Sequence, residues 1–302
     1  MHQLLSDLGV NASSDLSVFL FCTIFTFAVV TILWVVGLFQ GNHSMMDGWY
    51  GFAFAVPALL AYLIVGAQSV TAALLLFMVM LHGGRLGWYL AARWRRYVPE
   101  HGGDPRYLRF VEQMSPGYWW KSFLRVMEPQ AVVIVLVGMP AVVGILKNRE
   151  PNGGISLLAF AGLLVFMVGL YFETVADAQL QSFLALEQRP RYFNTGVWTH
   201  SRHPNYFGTT TVWWGMWLVA VAGNPACWWS VIGPILNTIM LTSVLGSAFQ
   251  DNYMGSRPEY QQLMVRTRRF LPLPLSPGAI ARNHDRLASQ RANALLTESD
   301  SS

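Results

Sequence analysis

The feature that most constrains this chain is a series of apolar segments, several of them about 20 residues long. A helix of roughly 20 residues is long enough to cross the hydrocarbon core of a bilayer. Hydrophobic residues make up 53% of the chain and charged residues 12%, against roughly 25% charged in soluble domains. The sequence therefore predicts an all-α, polytopic integral membrane protein, and its composition is not that of a soluble globular protein. Lys and Arg are absent before the first apolar segment, so we expect no signal peptide there.

Seven segments are predicted to span the membrane: Ser17–Phe39, Gly48–Val65, Val70–Ala92, Gln130–Leu146, Ile155–Phe183, Tyr206–Ala222 and Ala226–Phe249. With seven spans, all 20 lysines and arginines fall on one side except Lys147, Arg149 and Arg85, the last of which lies inside a span. Since cationic loops favour the cytoplasmic side, we expect the N-terminus outside and the C-terminus in the cytoplasm.

A polar stretch before the sixth span groups chemically active side chains within a few residues. Arg202 and His203 come directly before Pro204. A residue before proline is disfavoured in the α region, and proline suits the first helical turn, so a helix is predicted to begin at Pro204. Its free N–H groups and positive dipole end, next to two basic side chains, would form an anion site. The alternative interpretation is a basic cap at the membrane surface.

The end of the third span is unusually polar. His82, Arg85 and Tyr89 follow helical spacing and are predicted to lie on one stripe. An arginine within a span is costly unless it faces a wet cavity or a counter-charge, which makes Arg85 a functional candidate. The alternative is that Arg85 extends to the lipid headgroups. Three glycines of this span would allow close helix approach: Gly83, Gly84 and Gly87.

The octapeptide Ser-Arg-His-Pro-Asn-Tyr-Phe-Gly, Ser201 to Gly208, resembles the signature of membrane reductases grouped with the steroid 5-alpha-reductase C-terminal domain. It is similar in particular to their bacterial membrane-protein branch, which would place the chain in the bacterial inner membrane, or in the endoplasmic reticulum of a eukaryote. Sterol C14 reductases and isoprenylcysteine carboxyl methyltransferases carry looser versions. The resemblance extends from about Asp47 to Pro274.

Three further segments resemble elements of that family. His101-Gly-Gly-Asp-Pro-Arg-Tyr107 is similar to its Gly-x-Asp-x-Arg-Tyr element, although a basic loop resting on anionic lipid would look the same. In the fifth span, Glu173 and Asp177 lie one helical turn apart on one face, and in relatives the position matching Asp177 faces the dinucleotide. The alternative there is a polar helix end that reaches water. The segment from Gln250 to Pro272 resembles the closing element, although anionic headgroups would also attract it.

The resemblance implies an NADPH-dependent reductase acting on a conjugated C=C bond of a lipophilic, steroid-like or isoprenoid substrate. The dinucleotide would bring the hydride, while the protein would bind its phosphates and deliver a proton. We expect one membrane-embedded domain, residues 1–278, with a cofactor-binding half from about 85 to 275. Residues 279–302 are polar, and we expect them to form a disordered tail. The candidates for proton delivery are His82 and Tyr89. The candidate cofactor-binding residues are Arg85, Arg96, Asp104, Arg106, Tyr107, Glu173, Asp177, Arg202, His203, Asn205, Tyr206, Asp251, Tyr260 and Arg266.

Two other functions remain open at this point. A methyltransferase would use S-adenosylmethionine, which needs fewer cations than a dinucleotide, so the cation-rich segments favour the reductase. A lipid-binding or transport protein would carry polar groups across the membrane, whereas those here are predicted to gather at one face. No cluster with metal-ligand spacing is present, and neither a metal ion nor a nucleic acid is expected as a partner. The expected partners are a lipophilic small molecule and the lipid bilayer.

The chain departs from the family at three places. Thr209 follows the octapeptide where the family usually has Glu, and Leu263 stands where the closing element often has a second Tyr. Animal 5-alpha-reductases use a Gln-Glu pair on the second span, but the segment from Phe52 to Pro57 contains no acid. The resemblance thus supports the cofactor site and does not identify a steroid as the substrate.

Overall fold

The computed structural model describes residue 7 and residues 9–102, 104–151, 153–188, 190, 192–244, 246–255 and 257–299, and most of these residues are helical. Within these residues no strand is present, and one isolated parallel bridge joins Ser201 to Arg268. The predicted all-α class is therefore confirmed.

The α-helices are α1 (Asp15–Phe39), α2 (Met45–Tyr50), α3 (Phe52–Val65), α4 (Val70–His101), α5 (Pro105–Met114), α6 (Tyr118–Ser122), α7 (Glu128–Val137), α8 (Met139–Lys147), α9 (Leu157–Leu184), α10 (Pro204–Gly223), α11 (Ile232–Ile239), α12 (Ser247–Met254), α13 (Pro258–Arg266) and α14 (Pro277–Ser299). Short π-helical segments cover Phe123–Met127 and Met240–Val244, and 3-10 segments cover Gly196–Thr199 and Pro225–Val231.

Several helices are long and apolar enough to cross a membrane. Among the described residues, four pass this test by length and composition: Asp15–Phe39, Met45–Val65, Val70–Arg96 and Leu157–Leu184. The pair Tyr118–Val137 and Met139–Lys147, bent by 44°, adds a fifth if it forms one span. These helices agree with the first five predicted spans. A multi-helix membrane protein is thus supported, while the count of seven and the orientation stay predictions.

The last two predicted spans have a different local structure. The sixth lies in α10, whose polar first turns lower its mean hydropathy. The seventh is divided into a 3-10 segment, α11 and a π-helical segment. Pro225 and Pro234 lie in this region, and proline interrupts the regular hydrogen-bond pattern of a helix interior.

The chain divides into two compact units, each described by itself below. Unit 1 comprises Met1–Phe166 and Trp213–Leu236, and unit 2 comprises Met167–Val212 and Asn237–Ser302. Helices α9, α10 and α11 each contribute residues to both units. The single membrane-embedded domain of residues 1–278 stays a prediction.

Close helix packing in unit 1 depends on glycine. A Cβ atom placed on Gly51 would lie 2.1 Å from the backbone nitrogen of Gly87 and 2.5 Å from the carbonyl oxygen of Gly83. No side chain fits at such distances, so these glycines allow α4 to approach the start of α3. The prediction therefore holds for Gly83 and Gly87, whereas a Cβ on Gly84 would meet no atom within 4 Å.

An ion cluster in unit 1 fastens the start of α1 to the end of α8. The Asp15 carboxylate accepts a hydrogen bond from Lys147 Nζ at 2.8 Å and pairs with the Arg149 guanidinium. Arg149 also donates to the carbonyl oxygens of Ala12 at 3.3 Å and Ser13 at 3.4 Å. Because the carboxylate is partly buried and meets two cations, this contact is stronger than an isolated surface ion pair.

A buried histidine lies in the loop between α1 and α2. The Nε2 atom of His43 is 3.2 Å from the carbonyl oxygen of Trp34, so Nε2 donates, and Nδ1 accepts a hydrogen bond from the Tyr118 hydroxyl. Burial lowers the pKa of His43, and its hydrogen bond to Trp34 only partly offsets this effect. The neutral imidazole is therefore the form that this loop accommodates.

A helix covers most of the C-terminal segment, and the predicted disorder of residues 279–302 stays a prediction. Helix α14 extends over Pro277–Ser299, and the Asn283 side chain donates to the Val265 carbonyl oxygen of α13 at 3.2 Å. Ile280 and Leu287 lie seven residues apart, so they share one helix face and both are partly buried. The remaining residues of the predicted tail, 300–302, lie outside the described residues.

Candidate functional site

The octapeptide turn of unit 2 is paired with the closing segment of the chain. Helix α10 begins at Pro204, as predicted. Immediately before it, the Arg202 backbone N–H donates to the Arg268 carbonyl oxygen at 2.9 Å. The Ser201 hydroxyl donates to the carbonyl oxygen of Phe270 at 2.8 Å. These contacts hold the octapeptide turn against the closing segment, which follows about 65 residues later in the sequence.

The centre of this region is Asp251, whose side chain is only 1% exposed. Arg202 donates to both of its oxygens, with Nη2 at 2.7 Å from Oδ2 and Nε at 3.1 Å from Oδ1. The Tyr260 hydroxyl (2.7 Å) and His203 Nε2 (3.1 Å) also donate to Oδ1. Arg269 Nε donates to Oδ2 at 3.0 Å. We call these five residues the Asp251 cluster.

The cluster changes the proton affinity of its members. Burial raises the pKa of Asp251, but the hydrogen bonds from His203 and Arg202 and the charge of Arg202 outweigh it, so this pKa lies well below its usual range. Burial raises the pKa of Tyr260 far above its usual range, and the adjacent carboxylate raises it further. Burial also lowers the pKa of His203, although Asp251 opposes the shift. Asp251 is thus a stable anion, and Tyr260 remains a neutral donor.

Arg202 has protein partners at every nitrogen of its guanidinium group. Besides Asp251, it donates through Nη1 to the carbonyl oxygens of Thr267 and, at 3.4 Å, Met264. Its side chain is 6% exposed. Arg202, His203, Asp251 and Tyr260 are thus held by contacts within the protein. Their predicted contacts with a cofactor stay a prediction.

Ser201, His203 and Asp251 are the residue types of a hydrolase triad, but their geometry is different. The Ser201 hydroxyl accepts from the backbone N–H of His203 at 3.1 Å and donates to a carbonyl oxygen. The imidazole Nε2 donates to Asp251 instead. Because no imidazole nitrogen takes the serine proton, this trio lacks the activated nucleophile of a hydrolase.

Two carboxylates of α9 lie on one face in unit 2, as their spacing predicted. Glu173 is 1% exposed and accepts a hydrogen bond from the Thr209 hydroxyl at 2.7 Å. Asp177 accepts from the Asn205 amide at 3.3 Å. Thr209 stands where the resembled family usually has Glu, and here it donates a hydrogen bond to Glu173 of the neighbouring helix. Sequence reasoning did not identify Thr209 as part of this pair.

Glycine brings the two helices that carry these pairs close together. A Cβ atom on Gly169 would lie 2.7 Å from the carbonyl oxygen of Gly208, and one on Gly208 would lie 2.4 Å from the Glu173 nitrogen. The backbones are therefore in direct contact just beside the Glu173–Thr209 hydrogen bond. A larger residue at either glycine would push this pair apart.

Tyr206 is held from two sides. Its hydroxyl accepts a hydrogen bond from the Gln250 amide at 2.6 Å. Its ring stacks on His203, with ring centroids 5.4 Å apart and planes 5° apart. This contact connects the start of α10 to the Asp251 cluster.

Unit 2 also contains a half-open cavity of about 320 Å³, which we call the polar cavity. Two basic side chains, His200 and Arg266, line it, and Arg266 is exposed. Among the described residues of its wall there is no carboxylate. Arg266, a predicted cofactor-binding residue, is thus placed at a cavity, and its neighbours there include neutral hydrogen-bonding groups: Tyr192, Asn194, Thr199, Gln262 and Thr267.

A second cavity of unit 2, about 510 Å³ and mainly apolar, adjoins the first. Tyr192 and Asn194 line both cavities. The other residues of this apolar cavity come from the end of α9 and the loop that follows it, and they include Gln179, Ser182, Phe183, Leu186 and Phe193. Sequence reasoning missed both cavities, because Tyr192 and Asn194, the loop residues that line both, belong to neither a motif nor a helical period.

The remaining predicted residues lie in unit 1. Asp104 is buried and pairs with Arg93 at 2.8 Å, and the Tyr107 hydroxyl donates to Asp47 at 3.0 Å. Arg96 is exposed, and the Arg106 side chain lies outside the described residues. Asp104 and Tyr107 therefore anchor the loop before α5 within unit 1.

The residues predicted to deliver a proton are on α4. His82 is fully buried, and its ring meets the Trp213 ring edge-on with centroids 5.6 Å apart. Arg85 and Tyr89 are half-buried. The surroundings of His82 are those of a packed core side chain, so access to it would require movement of the helices around it.

Comparison with known proteins gives one family match. A family model described as "Protein of unknown function (DUF1295)" matches residues 33–267. This range includes α9, α10 and four of the five residues of the Asp251 cluster, and Arg269 lies outside it. No curated protein matches the chain, and no solved structure matches it.

Proposed function

The chain belongs to the DUF1295 family, and we propose that it is a membrane-embedded reductase that uses NADPH to reduce a conjugated C=C bond of a lipophilic substrate. Its resemblance to the steroid 5-alpha-reductase C-terminal domain supports this activity. The proposal includes seven spans with the N-terminus outside and the C-terminus in the cytoplasm, where NADPH is made available.

The polar cavity is the observation that carries the proposal. Phosphate oxygens accept hydrogen bonds, and charge-assisted bonds from guanidinium groups are the strongest of these. The cavity offers Arg266, His200 and several neutral donors without an opposing carboxylate among its described wall residues. The donor set thus fits a phosphate group. S-adenosylmethionine carries a sulfonium cation, for which a wall of basic side chains is unfavourable.

When bound, NADPH supplies the hydride. The protein's part is to bind and orient it. Arg266 would bind a phosphate oxygen, whereas Arg202 acts indirectly, because it donates to the carbonyl oxygen of Thr267, which lines the same cavity. The Asp251 cluster would therefore position one wall of the cavity without touching the cofactor.

The membrane-spanning character supports a lipophilic substrate. Four described helices are suited to a bilayer, and many of their large apolar side chains are exposed, for example Leu16, Ile24, Phe77 and Leu164. Such surfaces are stable only in contact with lipid or a partner. A substrate dissolved in the bilayer would reach this protein without crossing water.

Thermal unfolding of the purified protein in nanodiscs tests the cofactor. A ligand at 100 times its Kd stabilises the folded state by roughly 2.7 kcal/mol, so NADPH should raise the melting temperature measurably. NADH and S-adenosylmethionine are the comparisons. NADPH absorbance should then fall when a lipophilic enone is added. Stabilisation by S-adenosylmethionine with no effect of NADPH would show that the proposal is wrong.

A further inference from the structure

The polar and apolar cavities of unit 2 share a wall. Tyr192 and Asn194 line both of them, so a ligand group in one cavity lies next to a group in the other. One is lined by Arg266 and His200, and its neighbour is lined mainly by carbon. A single molecule with an anionic part and an apolar part would satisfy both.

The wall of the apolar cavity, formed by the end of α9 and the loop after it, is already ordered by contacts within the protein. The Gln179 side chain accepts a hydrogen bond from the Val197 backbone N–H at 3.1 Å, and a Cβ on Gly196 would lie 2.3 Å from the Gln179 amide nitrogen. Phe183 and Phe193 stack with ring centroids 4.7 Å apart. A preformed wall lowers the cost of ordering on binding, which is expected of a binding site.

The composition of the apolar cavity selects the chemistry of its occupant. Aromatic rings line it together with side chains that both donate and accept hydrogen bonds, among them Gln179, Ser182 and Asn194. A planar heteroaromatic ring can stack on the rings and bond to the amides through its edge. A saturated acyl chain would contact the apolar surface but could form no hydrogen bond with the side-chain amides of Gln179 and Asn194, so it would use less of this lining.

We propose that the two cavities together bind one phosphorylated nucleoside, with its base in the apolar cavity against Tyr192 and its phosphate in the polar cavity at Arg266. This inference rests on the proposed function, since the nucleoside would be one end of the dinucleotide. It goes further by assigning the base and the phosphate of this nucleoside to particular cavity walls. It also excludes Arg202 from direct phosphate contact, in contrast to the expectation from the sequence.

Isothermal titration of the full chain in nanodiscs of zwitterionic lipid tests this inference. The probes are adenosine 2′-monophosphate, adenosine 5′-monophosphate, adenosine and inorganic phosphate. At least one monophosphate should bind about tenfold or more tightly than adenosine or phosphate, because only it fills both cavities. Equal affinity for monophosphate and inorganic phosphate would overturn the proposal.

Matched variants locate the binding. Tyr192→Leu removes a stacking ring and Arg266→Gln removes a charged donor, and each should weaken monophosphate binding about tenfold to a hundredfold. Tyr192→Phe keeps the ring and should retain most of the affinity, which controls for misfolding. Exposed residues of unit 2 outside both cavity walls provide Tyr171→Leu and Arg282→Gln as unaffected controls. Variants that bind as the controls do would contradict the assignment.

Two further comparisons separate the explanations. Nanodiscs containing phosphatidic acid should not displace the nucleotide; displacement at low lipid content would assign the site to a lipid headgroup instead. If Tyr192→Leu and Arg266→Gln bind NADPH as tightly as wild type, this inference fails while the proposed function stands. If monophosphates bind as described and NADPH does not, the proposed function fails while the nucleoside site stands.

Discussion

Replacing Arg202 by alanine should destabilise unit 2 strongly, whereas the sequence alone predicts a loss of ligand affinity in an intact fold. The side chains of Arg202 and Asp251 are 6% and 1% exposed, and two hydrogen bonds join them. Removing one partner of a buried ion pair costs about 3–5 kcal/mol, because the other charge stays buried. Asp251 would keep His203, Tyr260 and Arg269, so we expect the lower end of that range, about 3 kcal/mol.

This loss is measurable as a shift of the thermal unfolding midpoint in detergent, followed by circular dichroism. At roughly 2–4 °C per kcal/mol, Arg202→Ala should melt about 6–12 °C below wild type. Arg269→Ala is the matched control, because it contacts the same carboxylate but its side chain is 49% exposed. Exposed pairs contribute about 0–1 kcal/mol, so this control should melt within about 4 °C of wild type.

An equal midpoint for Arg202→Ala and Arg269→Ala would refute the reasoning. It would mean that the Arg202 guanidinium is not held by Asp251 in the folded protein. A fall in NADPH affinity at an unchanged midpoint would restore Arg202 as a direct phosphate ligand.

Three other predictions follow from single features. Gly169→Ala should lower the melting temperature, because its Cβ would lie 2.7 Å from the Gly208 carbonyl oxygen; a midpoint equal to wild type would contradict this close contact. His43 has a lowered pKa in the folded state, so its contribution to stability is complete above the unfolded pKa of about 6.5 and declines as pH falls below it. Melting temperatures measured at about pH 7.5 and about pH 5.5 should therefore differ more for wild type than for His43→Asn. The orientation can be tested with single cysteines in a protein whose native cysteines are replaced. A cysteine at Gln113 should react with a membrane-impermeant label from the cytoplasmic side, and one at Glu150 from the opposite side. The reverse pattern would contradict the predicted orientation.

Local features of the fold could be predicted from the sequence because they depend on neighbouring residues. Pro204 begins α10 since proline suits a first turn, and the four-residue interval between Glu173 and Asp177 places both on one face of α9. The apolar segments indicate helices for a similar reason, since their length and composition are local properties.

The partners of charged residues could not be predicted in the same way. Arg202 and Asp251 are 49 residues apart, and a basic side chain near a helix start has the same local pattern whether it meets a phosphate or a carboxylate. Only the tertiary contact distinguishes the two. Tertiary contacts also distinguish Gly84 from Gly83. The two glycines are adjacent in the sequence, but a Cβ atom on Gly84 would meet no atom within 4 Å, whereas one on Gly83 would lie 2.6 Å from the Gly51 carbonyl oxygen.

The ion cluster of Asp15 with Lys147 and Arg149 has a consequence for how the protein is made. Asp15 and Arg149 are 134 residues apart, so at about 5–20 residues per second the ribosome needs roughly 7–27 seconds to supply the cation after the carboxylate. During this interval α1 is already synthesised but its end is not yet fastened. The insertion machinery, or a chaperone at the membrane, must therefore tolerate an unanchored apolar helix until the α8 end emerges and secures it.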